Sequence, residues 1–396
     1  MNADKLISHI AILGAGVGGV TIAIALIQRG YKISIFERTP EPAHIGAGIV
    51  VWPNASFVLS EMGLLSKIAA LAGRPEKMQR MSAQGEDLGY IDITALDKRM
   101  GFSSYAILRR DLQSVLLGEL SRQGVEVLYD HSVSSIVADG HGKTTINFKN
   151  GLQLKPDIVI GADGRMKSIA RQFVNGNNKP IYQGFINWIG VYESDANIVN
   201  EMSVFDVWGI GERFGVVPIT KNKVYWAGAK VQEIIDPAEL SSNKEELSSI
   251  FHSWPNPIPD IIRKTPELLI KKIFVHDHDP IATWYKDNVI LIGDSAHASL
   301  PTSGQGACQA MEDAWHLANY LQAYPSSIQV AFETFSETRR EKTATIIYAA
   351  RSFAASLFNR DAEFCRQRNA QSKLTDYFAV VESMARYWGQ GLPIRE

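Results

Sequence analysis

Cysteine is scarce in this chain: Cys308 and Cys365 are the only two among 396 residues. Two thiols of that spacing make neither a disulfide framework nor a CxxC metal site, so a reducing, cytoplasmic compartment is expected. An excess of charge is missing as well. Forty basic residues stand against 42 acidic ones, a formal charge of −2, which gives no basic field for nucleic acid. There is no internal repeat, low-complexity segment or long charge run. One apolar stretch, residues 10–27 (IAILGAGVGGVTIAIALI), is long enough to suggest a membrane span or a signal peptide. Four glycines crowd its centre, no small-residue cleavage site follows, and the Arg29-Gly30 turn leads into another β-rich run, so both readings are set aside.

What is present suits a globular protein. Hydrophobic residues make up 45% and charged residues 21%, enough apolar mass for a large core. At about 150 residues per domain the length suggests two to three domains. Residues 9–13 (HIAIL) read as a buried strand, 14–19 (GAGVGG) as a turn, and 20–29 as an Ala-rich helix stopped by Gly30. Residues 32–36 (KISIF) form a second strand, which completes a βαβ unit and implies a parallel sheet. Pro53 opens a helix that Gly63 ends, and a hairpin around Gly85 spans residues 78–93. Residues 111–123 carry apolar positions at helical spacing, and short strands follow at 125–128, 133–137, 144–148 and 157–160. From 182 to 274 alternating β segments dominate, with helical stretches near 237–254 and 260–268. Buried-strand character returns at 289–292, and nearly everything after Gly306 is helical. The domains are therefore interleaved along the chain.

Three constellations carry chemistry. In the first, Gly14 permits the tight turn, Gly16 lets a diphosphate approach the backbone, and Gly19 lets the helix pack on the strand. The helix N-terminus that follows offers free N–H groups to phosphate, and Val17 and Gly18 of the turn are counted with the glycines as cofactor-binding. Glu37 lies at the end of the next strand, placed to accept ribose hydroxyls and to repel a 2′-phosphate, so FAD or NAD is expected over NADP. Arg38 beside it is placed either to stack on adenine or to face solvent. The second constellation is Gly161-Ala162-Asp163-Gly164 at the carboxyl end of a buried strand. Asp163 is costly to bury alone, so it accepts backbone N–H bonds or faces a cofactor. The third runs from 289 to 306 (VILIGDSAHASLPTSGQG). Gly293-Asp294 ends a strand, with Asp294 placed for a ribitol or ribose hydroxyl. The loop Pro301, Gly304, Gln305 and Gly306 then meets a helix starting near Ala307, whose positive end points at a bound ring. His297 reads as structural. His276, Asp277 and His278 read as a domain junction, and no metal site is expected.

Together these motifs resemble the single-component, FAD-dependent aromatic hydroxylases (group A flavoprotein monooxygenases), such as the para-hydroxybenzoate, salicylate and kynurenine hydroxylases. The likeness spans about residues 8–345. Beyond the three corners it includes residues 48–64, beginning at Gly48, and Leu108-Arg109-Arg110-Asp111-Leu112, which resembles the family's Arg-x-Asp-Leu element and assigns flavin contact to Arg109. Asp163-Gly164 resembles a motif linked to both FAD and NAD(P)H. One departure stands out: the segment from Asp163 to Ser168 runs one residue longer than the family pattern, which puts the matching role of Arg171 in doubt.

The resemblance implies a Rossmann-like, parallel-sheet FAD domain (1–76, 100–176 and 275–322) interleaved with a mostly antiparallel substrate-binding sheet (77–99 and 177–274), followed by C-terminal helices (323–396). It implies bound FAD, NADH or NADPH as transient co-substrate, and O2. It implies oxygen transfer through a flavin C4a-hydroperoxide to an aromatic or polycyclic small molecule, with no nucleic acid or membrane partner, in a monomer or homodimer. The loop residues Pro301, Gly304 and Gln305 then face the flavin ring. From the β-rich region Trp188, Phe205, Trp208, Arg213, Phe214 and Trp226 offer aromatic walls and one cation, of which alternate residues alone can face a pocket. Arg213 either holds a substrate carboxylate or faces solvent. The rival readings are epoxidation of a polyene or polycyclic product, a plain NAD-dependent dehydrogenase, and a flavin-binding sensor. The Trp-x-Trp-x-Ile-Pro element of flavin halogenases is absent.

Overall fold

The computed structural model describes residues 7–42, 47–235 and 242–394. A six-stranded sheet runs in the spatial order Tyr285–Lys286, Val289–Leu291, Ile158–Gly161, Ile10–Leu13, Ile33–Phe36 and Val127–Leu128. Its strands pair in parallel except for the antiparallel edge strand Tyr285–Lys286. The apolar run that suggests a membrane is the first βαβ unit. Strand Ile10–Leu13 is wholly buried, and the helix Val17–Gln28 buries nine of its 12 residues between the sheet and the helices Arg109–Arg122 and Gly306–Ala323. Among the described residues no helix is long and apolar enough to cross a membrane.

A seven-stranded sheet forms the second layer. Its order is Lys271–Asp277, Ile181–Glu193, Lys223–Val231, Glu212–Thr220, Ser203–Trp208, Lys77–Ser82 and Asp87–Asp92. It is antiparallel apart from the pairing of Ser203–Trp208 with Lys77–Ser82, where an early hairpin joins strands from much later in the chain. Because side chains alternate across a strand, this sheet has two unlike faces. One packs Trp188, Phe214 and Trp226 against the helices Asn243–Phe251 and Ile258–Lys264. The other carries Val204, Val217 and Tyr225 and packs toward the six-stranded sheet.

Some elements differ from expectation. Residues 93–100 form a helix, capped by Asp92 through the N–H of Ala95 at 2.9 Å and ended by Gly101 at φ +79°. The helix expected from 237 is observed from Asn243, with 236–241 outside the described residues. The stretch expected at 260–268 is a helix Ile258–Lys264 and a separate 3-10 turn Glu267–Leu269, divided at Pro266, which has no N–H to continue the ladder. The end of the chain is helical as expected, in Gly306–Ala323, Ile328–Leu357, Ala362–Lys373 and Tyr377–Gly389.

Candidate active site

Four strands of the parallel sheet lie side by side and end on the same edge, so Glu37, Gly14, Asp163 and Asp294 follow one another along it. The backbone packing there is tight enough to demand glycine. A Cβ on Gly14, at φ +102°, would lie 2.3 Å from the carbonyl oxygen of Ala162, so the first glycine turn rests on the Asp163 corner. Ala310 of the Gly306–Ala323 helix approaches within 3.1 Å of the Cβ positions of both Gly18 and Gly293, which joins the first and third corners. Ser295 Oγ donates to the carbonyl of Gly161 at 2.6 Å and ties the third corner to the second. The three motifs therefore share one cleft.

The acids along the edge are differently employed. Glu37 accepts the N–H groups of Ala15 and Thr39, each at 3.0 Å, which fixes its carboxylate beside the glycine turn, while Arg38 is exposed. Asp163 accepts from Ser168 Oγ at 2.5 Å and from the N–H groups of Ile169 and Ala170 at 2.7 and 3.2 Å. It thus serves the start of the helix Ile169–Asn175, and burial raises its pKa. Arg171 is buried and donates to the carbonyls of Ser295 and Ala296 at 3.0 and 3.1 Å, so it braces the Asp294 turn from behind. Burial draws its guanidinium down to about 10. Asp294 pairs with Arg165 at 3.0 Å. Arg109 opens the helix Arg109–Arg122 next to the ladder between Gly48–Val51 and Tyr105–Leu108. Its side chain is exposed; desolvation by the surrounding protein lowers its pKa, Asp294 opposes this, and Arg165 adds to it.

The loop 301–306 is held from three sides. Trp52 Nε1 donates to the carbonyl of Gly304 at 3.0 Å, Thr302 Oγ1 donates to the carbonyl of Ala350 at 2.9 Å, and Asn54 Nδ2 donates to Gln305 Oε1 at 2.9 Å. Gly304 takes φ +62° where Trp52 crosses it, a close approach in a left-handed conformation. Gln305 is buried, and its Nε2 has no hydrogen-bond partner.

The seven-stranded sheet turns one face to this loop, and here four expected wall residues are corrected. Trp188, Phe214 and Trp226 are 0% exposed and lie on the far face with Phe205, packed under the two covering helices, so they do not line the cleft. Arg213 and Trp208 share the near face. Trp208 is buried among Phe353 and the guanidiniums of Arg80 and Arg368. Arg213 donates through Nε to the buried Asp206 at 2.6 Å and lies 5.6 Å from the ring of Phe353. Sequence reasoning missed Tyr225. Its ring occupies the space where a Cβ on Gly48 would stand, within 2.3 Å, which places it at the meeting of sheet and cleft. Between Arg213 and Tyr225 the near face carries small residues, Gly215 opposite Ala227, and then Ala229. The signal lay in the alternation of residues 223–229, where Tyr225 and Ala227 fall on one face and Trp226 on the other. The residues His276, Asp277 and His278 diverge: Asp277 pairs with Arg351 at 2.6 Å, and His278 Nε2 lies 2.7 Å from the carbonyl of Arg165. Among the described residues no group of three His, Cys, Asp or Glu side chains is arranged to hold a metal.

The cleft suits a dinucleotide. The helix Val17–Gln28 begins with no side-chain cap and no acid in its first turn, leaving its end to an anion. Gly16 faces free space, and the unpartnered Nε2 of Gln305 lies in the loop at the other end. A parallel-sheet cleft of this kind, roofed by an antiparallel sheet, defines the class of FAD-dependent monooxygenases. Residues 8–347 match the FAD binding domain family, and the chain belongs to it. It is 30% identical over 334 residues to the aurachin C monooxygenase/isomerase of Stigmatella aurantiaca, covering 84% of this chain and 85% of that one. It is also 30% identical over 347 residues to the FAD-dependent urate hydroxylase of Mycolicibacterium vanbaalenii, covering 86% and 87%. Klebsiella pneumoniae HpxO, solved with FAD and uric acid, superposes with a TM-score of 0.89 at 23% identity over 98% of both chains. The chain is a flavoprotein monooxygenase, and FAD is its cofactor.

Proposed function

We propose that the protein hydroxylates a small, planar, anionic aromatic or heteroaromatic molecule seated on the near face of the seven-stranded sheet between Arg213 and Tyr225. NADH or NADPH and O2 are the co-substrates. Bound FAD supplies the redox and oxygen-transfer chemistry, and the chain supplies placement and electrostatics. In this reading Glu37 takes the ribose hydroxyls, Gly16 to Gly19 take the diphosphate at the helix N-terminus, Asp294 takes the ribitol, and Pro301, Gly304 and Gln305 back the ring. Arg109 lies beside the cofactor's midsection.

The observation that carries the substrate class is the Arg213–Asp206 pair. Asp206 is 2% exposed and fixes Arg213 on the near face through Nε alone, which leaves the Nη donors of the guanidinium for a ligand. Arg80 and Arg368 gather at Trp208 on the same face, leaving three guanidiniums to one carboxylate. Such an excess favours an anionic group on the ligand. The phenol of Tyr225, whose pKa burial raises further above its ordinary value, is protonated at neutral pH and in this reading donates to the substrate. The two buried, free cysteines suit a reducing cytoplasm.

The test is substrate-stimulated NAD(P)H oxidation across hydroxybenzoates, anthranilates, purines and hydroxypyridines, each with its uncharged analogue. Stimulation by the anionic members supports the reading. Turnover of a quinoline or a carotenoid alone would move the assignment to an uncharged polycyclic or polyene substrate.

A further inference from the structure

Glu312 and Asp313 stand side by side in the Gly306–Ala323 helix, both 0% exposed, and neither reaches the open cleft. Each holds a different wall of it. Asp313 Oδ2 accepts the N–H of Gly293 at 2.7 Å and lies 2.5 Å from His297 Nε2. Gly293 has φ +57° and ψ −141°, a conformation in which a side chain is strained, and it sets the direction of Asp294. Glu312 Oε1 accepts from Asn54 Nδ2 at 2.6 Å and from Gln309 Nε2 at 2.8 Å. The same two amides donate to Gln305 Oε1 at 2.9 and 3.0 Å, so Glu312 fixes the loop end of the cleft.

Both acids converge on one residue from outside the sheet domain. Arg339, in the helix Ile328–Leu357, donates through Nε to Asp313 at 2.8 Å and through Nη1 to Glu312 at 2.5 Å. Its Nη2 reaches Gln309 Oε1 at 2.5 Å. Lys342, one turn on, adds a bond to Glu312 at 2.8 Å and donates to the carbonyls of Trp388 and Gln390. A planar fork spans two carboxylates at once, which a lysine ammonium of the same charge does not do. Removing a partner leaves a buried carboxylate uncompensated, and the chain around it must move.

We propose that Arg339 is a positioning residue for FAD: by forking across Glu312 and Asp313 it fixes the Gly293–Asp294 corner and the Gln305 loop relative to each other. The proposal rests on this cleft being the seat of the cofactor. It makes the Ile328–Leu357 helix part of the flavin site without touching the flavin.

The test uses full-length Arg339→Lys and Asp313→Asn, stripped of flavin and titrated with FAD, with Asp294→Ala as the direct-contact control. Both variants are expected to bind FAD about tenfold more weakly or worse. The visible circular dichroism and the midpoint potential of the bound flavin are expected to shift, while the far-ultraviolet spectrum stays that of the wild type. If Arg339→Lys fails to fold, Asp313→Asn decides alone. A folded variant with wild-type FAD affinity, visible dichroism and potential would overturn the proposal and leave the cluster a core brace. If Asp294→Ala also binds FAD as the wild type does, the seat itself is misplaced, and the proposal falls with it for that separate reason.

Discussion

Arg165 and Asp294 meet at the mouth of the cleft, Nη2 3.0 Å from Oδ2, with each side chain 33% exposed. Arg165 is also held from behind: its Nη1 donates to the carbonyl of His276 at 3.1 Å. It belongs to the stretch after Asp163-Gly164 that is one residue longer than the family pattern. The other oxygen of Asp294 turns toward Gly306, 3.9 Å from the place a Cβ there would take. That oxygen remains free for a cofactor hydroxyl. A half-exposed ion pair is worth about 0–1 kcal/mol. Arg165→Ala is therefore expected to change FAD affinity by no more than a few-fold, whereas Asp294→Ala weakens it more than about tenfold. Fluorescence titration of the apoproteins measures both, and a large loss in Arg165→Ala would make Arg165 a direct cofactor ligand.

The glycines of the first turn separate folding from binding. Gly14 has φ +102° and no room beside Ala162, so Gly14→Ala strains the backbone by roughly 1–3 kcal/mol and lowers the Tm of the apoprotein. Gly16 has φ −72° and open space around it. Gly16→Ala is expected to leave the apoprotein Tm near that of the wild type and to weaken FAD binding, because the methyl group stands where a diphosphate approaches. Calorimetry of the apoproteins with parallel FAD titrations checks the pair. Equal Tm losses in the two variants would contradict the difference.

On the sheet face, Arg213→Gln is expected to raise KM for an anionic substrate by about ten- to a hundredfold, the scale of one charge-assisted hydrogen bond. The kcat changes less, and an uncharged analogue keeps its KM. Steady-state kinetics with the two analogues is the measurement. An equal rise in KM for both would make Arg213 a packing residue of the Asp206 cluster.

One carboxyl carries a readable pH dependence. Burial pushes Asp97 up to about 6, although it accepts from Ser104 Oγ at 2.6 Å and from the Ser104 N–H at 2.9 Å. The folded value lies above the unfolded one, so the protonated form is favoured by folding. This contribution is fully present below the unfolded pKa, near 3.9, and is lost as the pH rises through about 6. Asp97→Asn, which stays neutral, is expected to gain on the wild type across that window, by on the order of 1–3 kcal/mol. Urea unfolding of both proteins at several pH values checks the slope. A wild type that gains on the variant as the pH rises would reverse the sign.

The cofactor corners were legible because each is local: a strand, a glycine turn and a carboxylate within a few residues. The sheet order then brings the corners together. The substrate face was not legible. Alternation along residues 181–193 and 212–220 divides side chains into two sets, but it does not say which set the helices Asn243–Phe251 and Ile258–Lys264 cover. Trp188 and Phe214 were therefore expected in the pocket and lie in the covered core. Tyr225 was hidden beside Trp226, the more conspicuous ring. Glu312 and Asp313 carry no signal in the sequence, since nothing near them announces Arg339, which arrives from the next helix and makes their burial tolerable. The helix Ile93–Met100 was hidden by a β-branched start that continued the preceding strand pattern.

The density of FAD in crystals of the flavin-loaded protein tests the central claim most directly. The account predicts ribose hydroxyls on Glu37, the diphosphate at the N-terminus of the Val17–Gln28 helix, ribitol on Asp294, and the ring against the loop 301–306 on the side of Tyr225 and Arg213. A flavin whose ring lies away from that loop, or that leaves Glu37 and Asp294 untouched, would contradict it.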